Sequence, residues 1–134
     1  MTNKIKLIDL LTDLIAFESV TPCDAGSLDY IAAFVENLGG SCIRLKRNQT
    51  TNLIATLGTG STVFAFAGHV DVVPTGDVTK WITQEPFKLQ QIGDKLIGRG
   101  VADMKGAIAA FLLALADFIE KNAPDSYQIK LLIT

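Results

Sequence analysis

Residues 63–67 read VFAFA, five positions with no polar side chain among them. A strand with one wet face alternates polar and apolar residues. An unbroken apolar run therefore suits a strand covered on both faces, as in a sheet packed between helices. Two more strands precede it, residues 42–45 and 52–57, joined to it by the turn Gly58-Thr59-Gly60-Ser61. That turn connects strand to strand and opens no helix, so it lacks the helix N-terminus that a glycine-rich phosphate cradle requires.

Helical spacing flanks these strands. Leu7, Leu10, Leu11, Leu14 and Ile15 fall on one face of a helix that stops near Glu18, because Thr21 precedes Pro22 and is biased to extended geometry. Leu28, Ile31, Ala32, Val35 and Leu38 mark a second helix, ended by Gly39-Gly40. After a loop-rich stretch with a short hairpin turning at Gly93-Asp94, a long helix is expected from Ala102 to Lys121. Its apolar stripe includes Met104, Ile108, Phe111, Leu112 and Leu115, and its other side is also rich in alanine and leucine, so burial nearly all round is expected. Tyr127 to Thr134 reads as a last strand. The order of helices and strands favours a three-layer α/β domain. A natural domain rarely leaves a charged carboxylate on a central strand, so the apolar ending LLIT implies the front part of something longer.

Composition narrows the class. Nearly half of the 134 residues are hydrophobic and 19% are charged, which excludes intrinsic disorder. A formal charge of −2 gives no basic surplus for nucleic acid. Asp9 and Asp13 interrupt the only signal-like opening, and no stretch approaches the roughly 18 apolar residues of a membrane span. Cys23 and Cys42 then read as reduced cytosolic thiols, packed as small buried hydrophobes, and the location as cytoplasmic.

Two places carry chemistry. His69 follows the buried strand in GHVDVVPTGD (68–77), at the strand end where open α/β sheets usually build sites. Asp71, two residues on, points the same way if the chain stays extended. A carboxylate there accepts a ring N–H, fixing the tautomer and leaving the other nitrogen for a metal. A histidine satisfied within a loop is the plainer reading. Asp103 lies in GRGVADMKG (98–106), either as a helix-capping carboxylate or as one held by a tight glycine turn where it bridges metal ions. Arg99 and Lys105 read as solvated or carboxylate-pairing residues.

Taken together, GHVDVVPTGD, Trp81, Pro86-Phe87 and LIGRGVADMKG resemble the co-catalytic zinc peptidase and deacylase family, and the likeness runs from the SVTP loop (19–22) to LLIT. The wording is most like the desuccinylases of that family, with acetylornithine deacetylases next. The resemblance implies an α/β/α zinc-peptidase-like catalytic domain, of which this chain is the N-terminal part. It implies two zinc ions, or cobalt, and a small N-acyl amino acid substrate. For a desuccinylase that substrate is N-succinyl-LL-2,6-diaminopimelate, cleaved to succinate and LL-diaminopimelate in lysine biosynthesis. By position, His69 matches a zinc ligand, Asp71 the residue that orients it and Asp103 the bridging carboxylate. A Glu-Glu pair, a further acidic ligand, a C-terminal histidine and a smaller dimerisation domain belong to the family's pattern beyond Thr134. The parent is thus expected to be a homodimer and this chain alone inactive, with apolar surface exposed where the rest would pack. A non-catalytic interaction module on the same fold is the rival reading, and a nucleotide-binding module built on the GTGS turn a third.

Overall fold

A computed structural model describes residues 2–134, with side chains from residue 6 onward. Helix α1 spans Thr2–Ala16 and α2 spans Ser27–Asn37, followed by strands β1 (Ser41–Arg47), β2 (Thr50–Leu57) and β3 (Thr62–Gly68). A loop then leads to the hairpin β4 (Gln90–Ile92) and β5 (Lys95–Ile97), helix α3 (Gly106–Lys121) and strand β6 (Tyr127–Ile133). Four strands form a mixed sheet in the order β1-β2-β6-β3. Strand β6 inserts between β2, which it meets antiparallel, and β3, which it meets parallel. The parallel pair requires a crossover, and the loop, the hairpin and α3 together supply it.

The two sides of the sheet have different fates. Leu53, Ala55 and Leu57 of β2 and Ile129, Leu131 and Ile133 of β6 point into one core with Leu11, Leu14 and Ile15 of α1, Leu28, Ile31 and Val35 of α2, and Ile108, Leu112 and Leu115 of α3. Most of these side chains are wholly buried. Each such leucine or isoleucine contributes about 1.5–3 kcal/mol, so this one face carries the stability of the fold. The α/β class expected from the order of elements is the class found, with the three helices gathered on one side.

On the opposite side, Ile43, Ile54, Leu132 and Ala67 stand in one cross-strand row. No described element covers that row, and Ile43 and Leu132 are 59% and 42% exposed. Strand β3 is accordingly not covered on both faces. It is an edge strand, its Val63 and Phe64 exposed, although Phe64 and Phe66 stack on Phe111 of α3. The apolar run records what the strand is suited to meet, and the aromatic side chains of β3 find Phe111 of α3.

Helix α3 also departs from expectation. It begins at Gly106 rather than Ala102 and is not buried all round: Ala107, Ala110, Ala114 and Phe118 form an exposed stripe. Phe64, Phe111, Ala114, Phe118 and Tyr127 line an apolar groove of about 400 Å³ between that stripe and β3. Helix α1 ends at Ala16, two residues before the expected stop. Cys23 is exposed and Cys42 half-buried, both free thiols, so only Cys42 approaches the packed role expected of the pair.

So much exposed apolar surface on one side of a sheet favours self-association. The 134-residue chain by itself is expected to sediment as dimers or larger species, and Ile43→Lys with Leu132→Lys to restore a monomer. Sedimentation velocity of the two proteins measures this, and a monomeric parent chain would contradict it.

Candidate functional site

Three segments converge at the C-terminal end of β3: the exit of α1, the loop 69–73 and the turn 98–105. They enclose a cleft of about 210 Å³ lined by Thr21, His69, Asp71, Arg99, Gly100 and Asp103, among others. The three residues singled out from sequence lie together in it.

The backbone holds the loop in place. Val70 N–H donates to the Thr134 carbonyl at 2.8 Å, and Thr134 N–H donates to Gly68, continuing the β3–β6 pairing past the strand ends. The segment 19–21 runs alongside as a further extended piece: Val72 N–H donates to Ser19 at 2.8 Å and Thr21 N–H to Val72 at 3.1 Å. The wholly buried Ser19 adds a hydroxyl bond to the Val70 carbonyl at 2.7 Å. His69 thus projects from a loop braced on both flanks.

Its imidazole is caught between two aspartates. Nδ1 lies 3.0 Å from the Asp71 carbonyl oxygen and 3.3 Å from the Asp71 carboxylate. A carbonyl oxygen only accepts, so Nδ1 carries the proton in this hydrogen bond. Nε2 then faces Asp103 Oδ1 at 3.0 Å. A lone pair and a carboxylate at that separation repel unless a cation, either a proton or a metal ion, lies between them. The Asp103 carboxylate is 86% exposed and the imidazole 36%, which leaves the pair open to the cleft.

Asp103 owes its place to an irregular turn. Residues Val101–Lys105 form one wide helical turn in which Asp103 (φ −135°, ψ 93°) and Met104 are not helical, and the Asp103–Met104 peptide is cis. Gly100 opens the turn at φ 89°, and a Cβ there would come within 2.6 Å of Val72. A larger residue would therefore push the Asp103 turn off the Asp71 loop. No side chain caps the N-terminus of α3, and the Asp103 carboxylate is partnered by His69. Met104, expected in the stripe of the long helix, instead packs on Gly68, and its sulfur accepts the His69 N–H at 3.4 Å.

Lys105 is neither solvated nor paired with a carboxylate. It is fully buried, and its Nζ donates to the carbonyls of Leu14 and Phe17, each at 2.8 Å. Burial lowers its pKa from 10.5 to about 8. Arg99 likewise has no carboxylate partner: its guanidinium lies 4.8 Å over the Trp81 ring and reaches the Pro74 carbonyl, while the Trp81 indole donates to Thr75. Sequence reasoning also missed Thr21, whose hydroxyl donates to Asp71 Oδ2. Its partner is 50 positions away, and only the Thr-Pro step in the SVTP loop marked the segment at all. Among the described residues, no group of three or more His, Cys, Asp and Glu side chains forms a metal cage.

Residues 65–134 match the sequence model of peptidase family M20/M25/M40. The chain is 48% identical over 132 residues to a succinyl-diaminopimelate desuccinylase of Rhodospirillum centenum, an alignment covering 95% of this chain and 34% of that protein. It is 43% identical over 128 residues to the enzyme of the same name from Legionella pneumophila, covering 96% and 34%. The chain therefore spans about a third of the length of the curated relatives it matches. Among solved structures, human carnosine dipeptidase 1 superposes with a TM-score of 0.85 at 25% identity, over 98% of this chain and 32% of that one. An M20 family metallo-carboxypeptidase from Sulfolobus solfataricus gives 0.84 at 22% identity, over 96% and 30%, a likeness of fold.

Replacing Lys105 by Met removes the Nζ donor from the Leu14 and Phe17 carbonyls, of which Phe17 keeps the Ser19 N–H, at a cost on the order of 2 kcal/mol in denaturant titrations. Between pH 8 and 10.5 the unfolded chain keeps a lysine proton that the folded chain has lost, so stability from this group rises with pH across that window. The gap between the parent chain and Lys105→Met should widen from pH 8 to 10 and stay level below pH 7.

Proposed function

The chain belongs to peptidase family M20/M25/M40, and from that membership we propose that residues 1–134 form the N-terminal part of the catalytic domain of a zinc-dependent amide hydrolase. The remainder of that domain and a dimerisation domain lie elsewhere in the parent protein, which acts as a cytoplasmic homodimer. No helix among the described residues is long and apolar enough to cross a membrane. The names of the relatives favour N-succinyl-LL-2,6-diaminopimelate as substrate, released as succinate and LL-diaminopimelate.

One observation carries the metal reading. His69 Nε2 and Asp103 Oδ1 face each other at 3.0 Å, while the Nδ1 proton is held by Asp71. Two electron-pair donors in that relation suit a shared cation, and imidazole nitrogen with carboxylate oxygen is a donor set that zinc accepts. His69 would give its Nε2 lone pair, and the exposed Asp103 carboxylate has a second oxygen with which to reach another ion. Asp71 keeps the ring in the required tautomer. When bound, zinc supplies Lewis-acid polarisation of an amide carbonyl and acidifies water. Asp71 and Asp103 are the carboxylates lining the cleft, and both are engaged with the imidazole, so among the described residues no further carboxylate there serves as general base.

Calorimetric titration with zinc tests the reading. The 134-residue chain is expected to bind weakly, because two ligands fall short of the roughly four that zinc prefers. His69→Ala and Asp103→Asn should each abolish the heat, and binding indifferent to both changes would refute the assignment. The same chain should release no succinate from N-succinyl-LL-2,6-diaminopimelate, and zinc-dependent release by protein of confirmed mass would overturn that expectation.

A further inference from the structure

We propose that Thr21 is a positioning residue for the metal centre. Its hydroxyl fixes the Asp71 carboxylate, and through it the imidazole of His69. The inference rests on the reading of His69 and Asp103 as metal ligands and adds to it the group that sets their geometry.

An ionised carboxylate is an acceptor only, and a free aspartate turns about χ1 and χ2 among several orientations. Here its two oxygens have separate duties. Oδ2 accepts the Thr21 hydroxyl hydrogen bond, and Oδ1 lies 3.3 Å from His69 Nδ1, whose own hydrogen bond at 3.0 Å goes to the carbonyl oxygen of the same residue. The hydroxyl is itself held on a braced backbone. Thr21 N–H donates to Val72, Val72 N–H donates to Ser19, and the Ser19 hydroxyl donates to Val70, so the bonds from 19–21 straddle Asp71 on both sides. Val20 and Val72 pair as a parallel bridge. A donor carried on a strand-like partner of the loop is a fixed reference, whereas one on a free loop would follow the carboxylate wherever it moved. Thr21 also lines the cleft together with the ligands. This is the arrangement in which outer hydrogen bonds orient a metal-binding imidazole.

The exposed setting of Thr21 makes the test mild, because Thr21→Val keeps the shape and removes only the hydroxyl, while Thr21→Ser keeps the hydroxyl. Three-bond Hα–Hβ couplings of Asp71, measured by NMR on the full 134-residue chain without metal, should show one χ1 rotamer in the parent chain and in Thr21→Ser, and averaged values in Thr21→Val. Couplings in Thr21→Val identical to the parent would overturn the proposal. Zinc is then added while the ring nitrogens of His69, the chain's single histidine, are followed. Thr21→Val is expected to bind about tenfold more weakly than the parent, with Thr21→Ser near the parent. Equal affinity in Thr21→Val also overturns the role assigned to Thr21. If zinc leaves the ring resonances of the parent chain unmoved, the ligand reading fails, and the couplings still decide whether Thr21 positions Asp71.

Discussion

The cleft depends on how the end of α1 satisfies its carbonyls. The last turn of a helix leaves C=O groups with no intrahelical donor, and a buried end needs them met from elsewhere. Here the donor is a lysine sunk wholly into the core, its ammonium on the carbonyls of Leu14 and Phe17. Burying a cation is costly, which is why its pKa falls to about 8. The gain is rigidity: the residue two positions after Asp103 is tied to the helix that leads into Ser19 and Thr21. The same short stretch of chain, residues 14–21, therefore holds the Asp103 turn on one side and the Asp71 loop on the other. The two carboxylates that flank His69 share one anchor.

That arrangement explains why the site survives an irregular approach. The turn 101–105 abandons helical dihedrals at Asp103 and Met104, and a turn of this kind left to itself would sample many conformations. Gly100 against Val72, Met104 against Gly68 and Lys105 against α1 fix it at three successive points. The imidazole is held from behind as well, by Asp71. The Asp71 carboxylate in turn receives the Thr21 hydroxyl from outside its own loop.

Much of this was legible in one dimension. The spacing of Leu7, Leu11 and Leu14 and of Leu28, Ile31 and Val35 marked two helices, because a single buried stripe is what a helix on one side of a sheet needs. The placement of His69 at a strand end and of Asp103 at a glycine turn followed from the same kind of local signal. Other features were not legible, for identifiable reasons. VFAFA announced a strand suited to apolar surroundings, but which neighbours are present is a property of the whole fold, and β3 lies at an edge. Met104 falls in register with the apolar stripe of α3, so the spacing extended the helix backwards over a turn that tertiary contacts unwind. A lysine carries no mark of burial, and the hydroxyl of Thr21 has its partner 50 positions away.

The sequence distances in the cleft have a further consequence. His69 and Asp103 are 34 positions apart, Thr21 and Asp71 50, and Lys105 and Leu14 91. Contacts of such span close large loops, and they form only once β3, the crossover and β6 have found one another. In the unfolded chain, therefore, nothing holds His69 and Asp103 together. An ion that engages both His69 and Asp103 discriminates between folded and unfolded molecules, so its occupancy is a gauge of native topology and its binding free energy adds directly to the stability of the fold.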